Sequence, residues 1–146
     1  MLNMNKIKVK QLEKWAKKIH NNALGKGFYD NELKAYFSHN QKLEIIKKLC
    51  EFHDVWEKDN EKCKEELADV VILLLDYVYF KGYKIHNSSF LPEITENQIY
   101  TISREVYFLI CHVTDEWFIP VIFRCFDIAT YLNFDLIDEI EKKMKL

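Results

Sequence analysis

CEFHDVWEKDNEKCKEELADVVILLLD, residues 50–76, is the stretch whose reading decides the fold. Its second half places Leu67, Val70, Val71, Leu74, Leu75 and Val78 at the spacing of one helix face, which predicts a helix from about Glu61 to Lys81. Gly82 follows and ends it. Its first half continues a stripe of Ile45, Leu49, Phe52 and Trp56, which predicts a helix from about Gln41 to Lys58. Asp59-Asn60 separates the two. So short a connection makes the helices antiparallel neighbours.

Outward from this pair the pattern stays helical. Leu12, Trp15, Ala16, Ile19 and Ala23 predict a helix over about Val9–Leu24, stopped by Gly25 and Gly27 and followed by a loop of Phe28, Tyr29 and Asp30. On the other side, residues 84–95 form the longest loop, with Asn87, Ser88, Ser89 and Pro92. Ile99, Ile102, Val106, Leu109 and Val113 then mark a helix from about Glu96 to Val113. Thr114-Asp115 breaks it and is placed to cap the next, about Ile119–Leu132, where Pro120 fits only the first turn. A final helix covers Asp135–Lys145. The expectation is one all-α domain over 1–146, a helical bundle. The chain has only 3 glycines and 2 prolines, too few for a turn-rich β fold.

A weak internal repeat aligns LLLDYVYFKGYKI (73–85) with FRCFDIATYLNFDL (123–136), pairing Asp76 with Asp127 and Tyr83 with Phe134. In that register Glu66 falls on Trp117 and Asp69 on Pro120, so 96–146 reads as a candidate degenerate second copy of a first half over 1–85. Chance similarity between two amphipathic helices explains the pattern equally well.

Bulk composition narrows the function. Hydrophobic residues make up 49%, charged residues 30%, and net charge is -2, as in an ordinary globular protein and unlike a nucleic-acid-binding tail. The lysines between Lys6 and Lys18 read as a solvated helix face. No signal-peptide core precedes the first helix, and Asp69 and Asp76 bracket the most apolar run. The expectation is a cytoplasmic protein that binds neither a membrane nor a nucleic acid polymer. Cys50, Cys63, Cys111 and Cys125 form no CxxC pair and read as free, buried thiols.

The chemistry lies in two acidic pairs. Glu51 and Asp54 are three apart on the second helix, Glu66 and Asp69 three apart on the third. Residues three apart share a helix face, so each pair points two carboxylates to one place. Helices packed at about 8–10 Å can bring all four together. Oxygen-only ligands suit a hard cation, Mg2+ or Mn2+, which shares its shell with substrate phosphates. Taken alone, the residues leave a solvated acidic face and a cation site as alternatives. Glu44 and Lys47 read as surface charges.

Glu51-Phe52-His53-Asp54, eleven residues, then Glu66-Leu67-Ala68-Asp69 resembles the E-x-x-E, spacer, E-x-x-D signature of the MazG-like all-α nucleoside triphosphate pyrophosphohydrolases. The segment EELADVVILLLD carries most of the likeness. IHNNALGKGFYD (19–30) resembles the lead-in of phage-type members, and YLNFDLIDEIEKKM (131–144) their final helix. The resemblance implies magnesium-dependent hydrolysis of a (deoxy)nucleoside triphosphate to monophosphate and pyrophosphate, as nucleotide-pool housekeeping. It gives Glu51, Asp54, Glu66 and Asp69 the metal-ligand and catalytic roles, and it implies a homodimer, with a pseudo-dimeric monomer as the alternative. Asp76 is either a support for the same site or a helix-surface acid.

Two departures stand out. Asp54 is one methylene shorter than the family's Glu, and the chain stops at Leu146, just past Lys143-Met144, where family members continue into an Asn and a basic residue that touch substrate. Lys84, Lys142 and Lys143 are the substitutes for that basic group, and Phe28 and Tyr29 the candidate base-contacting rings. Trp15 and Trp56 fit the same role or the core. The five histidines show no metal or triad spacing, and His53 reads as a half-exposed helix residue. The departures also support a second reading: a non-catalytic relative that binds nucleotides or acts as a helical interaction protein.

Overall fold

The computed structural model describes residues 6–25, 34–87, 92–95 and 100–145. The described residues are mostly helical, with no strand among them. The elements are α1 (Val9–Gly25), α2 (Lys34–Val55), α3 (Asn60–Lys81), α4 (Thr101–Cys111), α5 (Phe118–Tyr131) and α6 (Leu136–Met144). A 3-10 turn, Asp115–Trp117, leads into α5.

Helix α3 is the axis of the fold. It packs against α2, α1, α6 and α5, and its buried residues run almost all the way round, from Cys63 to Val78. A helix apolar on every side has to sit inside. The predicted stripe is entirely buried, and Ala68 and Tyr77 join it. Asp59 starts α3 by accepting a hydrogen bond from the Lys62 backbone N–H, a standard N-cap. Gly82, with φ of 72°, ends it in a left-handed turn: Gly82 N–H donates to the Tyr79 carbonyl and Tyr83 N–H to the Val78 carbonyl.

The same pair of bonds closes α5. Asn133, with φ of 63°, donates to Thr130 and Phe134 donates to Ala129. Gly82 and Asn133 are equivalent in the register that pairs Tyr83 with Phe134. The α4–α5 pair lies on the α2–α3 hairpin, α4 on α2 and α5 on α3.

One polar cluster ties α4 to α5, and a second ties the segment before α5 to α2 and α3. Arg124 on α5 is buried and donates to both carboxylate oxygens of Glu105 on α4, at 2.7 and 3.1 Å, to Asp127 at 3.3 Å, and to the Pro92 carbonyl. Asp115, in the turn before α5, binds Lys42 of α2 at 2.9 Å and accepts the Tyr77 hydroxyl of α3 at 2.8 Å. Tyr77 in turn stacks on Phe118, 4.3 Å between centroids. Burial alone would raise the Asp115 carboxyl. Hydrogen bonds from Lys42, Tyr77 and Tyr83, with the Lys42 charge, outweigh it and bring the carboxyl down to about 2.

A carboxyl lowered in the folded state stabilises above its unfolded value near 3.8, and that contribution is lost as pH falls towards 2. Asp115→Asn should therefore cost about 1 kcal/mol near neutral pH, a figure held down by the partial exposure of the pair. Urea unfolding at neutral pH and again at about pH 2.5 checks it: the gap between wild type and variant should close at the acid end.

Some boundaries differ from expectation. Helix α2 begins at Lys34, seven residues before the expected Gln41, because Ser38, His39 and Asn40 lower helix propensity only slightly and do not stop a helix already growing. Helix α4 begins at Thr101, and residues 96–99 of its expected first turn lie outside the described residues. Cys63 and Cys125 are buried as expected, but Cys50 and Cys111 are exposed. Burial pushes the Cys63 thiol up to about 11, which keeps it protonated and unreactive. No helix among the described residues is long and apolar enough to cross a membrane.

Candidate functional site: three carboxylates around Lys48

The antiparallel register of α2 and α3 sets Lys48 and Glu51 against Glu66 and Asp69. Lys48 lies one turn before Glu51, so both side chains leave the same face of α2. The Lys48 ammonium then reaches Glu51 at 3.1 Å, Glu66 at 3.5 Å and Asp69 at 3.5 Å. Two further lysines complete the cluster. Lys143, in the last turn of α6, binds Asp69 at 2.8 Å, and Lys62, one turn before Glu66 on α3, reaches it at 3.6 Å.

Glu66 is the innermost acid, its side chain only 6% exposed, whereas those of Glu51 and Asp69 are partly open. The electrostatics are mutual. Partial burial by itself would lower the Lys48 ammonium. Its hydrogen bond to Glu51 and the charges of Asp69, Glu66 and Glu51 outweigh that and hold it well above the ordinary lysine value. Glu51 is held below the ordinary carboxylate value, first by its hydrogen bond to Lys48 and then by one shared with Glu66. Glu51 is thereby a good ligand for a cation and a poor acceptor of protons.

The fourth motif acid stands apart. Asp54 is exposed and lines a groove between α2 and α4 with Cys50, His53, Ser103 and Tyr107. His53 is also exposed, its Nε2 2.8 Å from the Ser103 hydroxyl. Lys143 lies in the cluster, but Lys84 lines a different groove, between α1 and the end of α3, with Glu13, Lys14, Tyr79 and Tyr83. Phe28 and Tyr29 lie outside the described residues. Trp15 is buried in the core, and Trp56 packs partly against it.

Asp76 is neither on the surface nor next to the cluster. It is buried two helical turns beyond Asp69, about 10 Å along the axis. There it accepts a hydrogen bond from His20 Nδ1 of α1 at 2.9 Å, with Gln41 of α2 3.5 Å away. The His20 ring sits beside Tyr79, 5.0 Å between centroids. Glu66 and Asp69 thus lie towards one end of α3 and the His20–Asp76 pair towards the other, with Leu73, packed against the core, between them.

Sequence reasoning missed Lys48, Lys62 and His20. Lys48 did leave a signal, since it precedes Glu51 by three residues and so shares its face. His20 left none, because its partner is 56 residues away.

The donor set of Glu51, Glu66 and Asp69 is carboxylate oxygen throughout, which suits Mg2+ or Mn2+. In this structure those oxygens close on Lys48, and no group of three or more acidic, histidine or cysteine side chains among the described residues is arranged to hold a metal. The donor chemistry fits the ion, provided that Lys48 moves aside. No protein-family model, curated protein or solved structure matches the chain.

Proposed function

We propose that this protein hydrolyses a (deoxy)nucleoside triphosphate to monophosphate and pyrophosphate, with Mg2+ or Mn2+ held by Glu51, Glu66 and Asp69. One observation carries the reading: both E-x-x-acid pairs contribute to a single cluster, in which three carboxylates from two antiparallel helices share one cation. Bound there, the ion would neutralise triphosphate charge and activate water. Glu66, buried and fixed by packing, anchors the site. Glu51, kept ionised by its neighbours, orients. Lys143 stands beside Asp69 and takes a phosphate oxygen. Asp54 has an outlying role, one turn from Glu51.

The test is product analysis on a panel of NTPs and dNTPs with Mg2+ or Mn2+. Equal amounts of pyrophosphate and monophosphate support the reading; release of inorganic phosphate, or no turnover on any nucleotide, counts against it. Lys48 favours a second reading, the non-catalytic relative, because a lysine already neutralises the cluster. Nucleotide binding without turnover would support that one. The family resemblance implies a homodimer; the α4–α5 pair lying on the α2–α3 hairpin favours a single chain that supplies both helix pairs itself.

A further inference from the structure

The buried carboxylate of Glu66 has its cations only at the edge of contact range: Lys48 at 3.5 Å and Lys62 at 3.6 Å. A charge removed from water needs close partners, and at these distances neither lysine is close, although Lys48 does donate a long hydrogen bond to it. Lys48 is further divided among three acceptors, and only its contact with Glu51, at 3.1 Å, is short. The ammonium is thus a shared counter-ion at the centre of a cluster that it does not fully satisfy. Mg2+ binds carboxylate oxygen at about 2.0–2.1 Å and carries twice the charge, so it would satisfy Glu66 better.

We propose that Lys48 is the resident counter-ion of this site, which a divalent cation must displace in order to bind, and that the freed ammonium then turns to an anionic phosphate oxygen of the ligand. This rests on the metal reading given above. The Lys48 side chain is 25% exposed, so its flexible stem has solvent to swing into. Because the displaced charge stays nearby, the lysine lowers affinity for the bare ion and restores it when an anionic ligand arrives. The site is then tuned for the ion together with its polyphosphate, and against the ion alone. Lys62 provides the contrast, since its side chain is 53% exposed and reaches only one of the three acids.

The experiment is calorimetric titration with Mn2+ alone, without nucleotide, on wild type, Lys48→Met, Lys62→Met and the double variant Lys48→Met/Glu66→Gln. Lys48→Met should bind Mn2+ about tenfold more tightly or better, as expected when a competing unit charge is removed from a partly buried site. Lys62→Met should change affinity less than about threefold, as for an exposed ion pair. The double variant should lose the gain. Where Lys48→Met does not fold without metal, Lys48→Gln, which keeps a donor but no charge, makes the same comparison.

If wild type binds Mn2+ and the uncharged Lys48 variants bind no more tightly, the counter-ion role is overturned and the metal reading stands. An equal gain in Lys62→Met also overturns it, because the effect is then general electrostatics. Binding by Lys48→Met but not by wild type supports the role and counts against the enzyme reading. Absence of binding in every variant overturns both.

Discussion

Glu66→Gln should abolish Mn2+ binding and reduce pyrophosphate release by at least about 100-fold, the upper end of what loss of a group supporting a metal ligand costs. Among the three carboxylates that Lys48 gathers, Glu66 has the most buried side chain. It sits on α3, which the core packs on several sides, so it cannot move away from the site. Glutamine has nearly the same shape, which preserves that packing while removing the charge and half of the acceptor capacity. Circular dichroism and melting of the variant should therefore stay close to wild type. Asp54→Asn is the informative companion. Asp54 is exposed and outside the Lys48 cluster, so its replacement should cost less than about tenfold, well short of the loss at Glu66. Equal losses at the two positions would mean that α2 turns to bring Asp54 inward when ligand binds.

The largest stability effect should come from the other half of the molecule. Arg124→Met should lower stability by about 3–5 kcal/mol, the usual cost of removing one member of a buried ion pair. In a chain of this size that corresponds to a fall in melting temperature of roughly 10–16 °C. Arg124 is only 8% exposed and meets Glu105 in a two-pronged contact, while its bond to the Pro92 carbonyl fixes the segment ahead of α4. Burial alone would lower the guanidinium, but Glu105 and Asp127 more than offset that. Asp127, with a 44% exposed side chain, contributes little to the total. The cost arises because Glu105, with a side chain only 17% exposed, is left without its cation. A double variant, Glu105→Leu with Arg124→Met, should recover most of the loss, and a double-mutant cycle in thermal or urea unfolding measures the coupling.

How far the sequence could be read depends on which physical effect governs each residue. Helix α3 was legible because its apolar period is unbroken from Leu67 to Val78, and because Asp59 and Gly82 are strong end signals. The convergence of Glu51 with Glu66 and Asp69 was legible because two local spacings and a short turn suffice to fix it. Asp54 departed from that expectation: a residue three along a helix is rotated by about 60°, enough to carry it from the α3 side of α2 to the α4 side. Lys48 escaped notice because lysines on amphipathic helices are usually solvated, and only tertiary packing gives this one three acceptors. Arg124 and the His20–Asp76 pair were illegible for a stronger reason. Their partners come from elements distant in sequence, and no periodicity encodes the register of α4 against α5 or α1 against α3. The equivalent left-handed caps at Gly82 and Asn133 show the opposite case, since the alignment of Tyr83 with Phe134 already placed them together.

On the proposed function, a divalent ion binds among Glu51, Glu66 and Asp69. Substoichiometric Mn2+ added to isotopically labelled wild-type protein tests it by paramagnetic broadening of backbone amide signals. Amides around Lys48–Glu51, Glu66–Asp69 and Lys143 should broaden first and together, while those around Glu105 and Arg124 stay sharp. Broadening centred elsewhere, or spread evenly over the exposed acids, would contradict it.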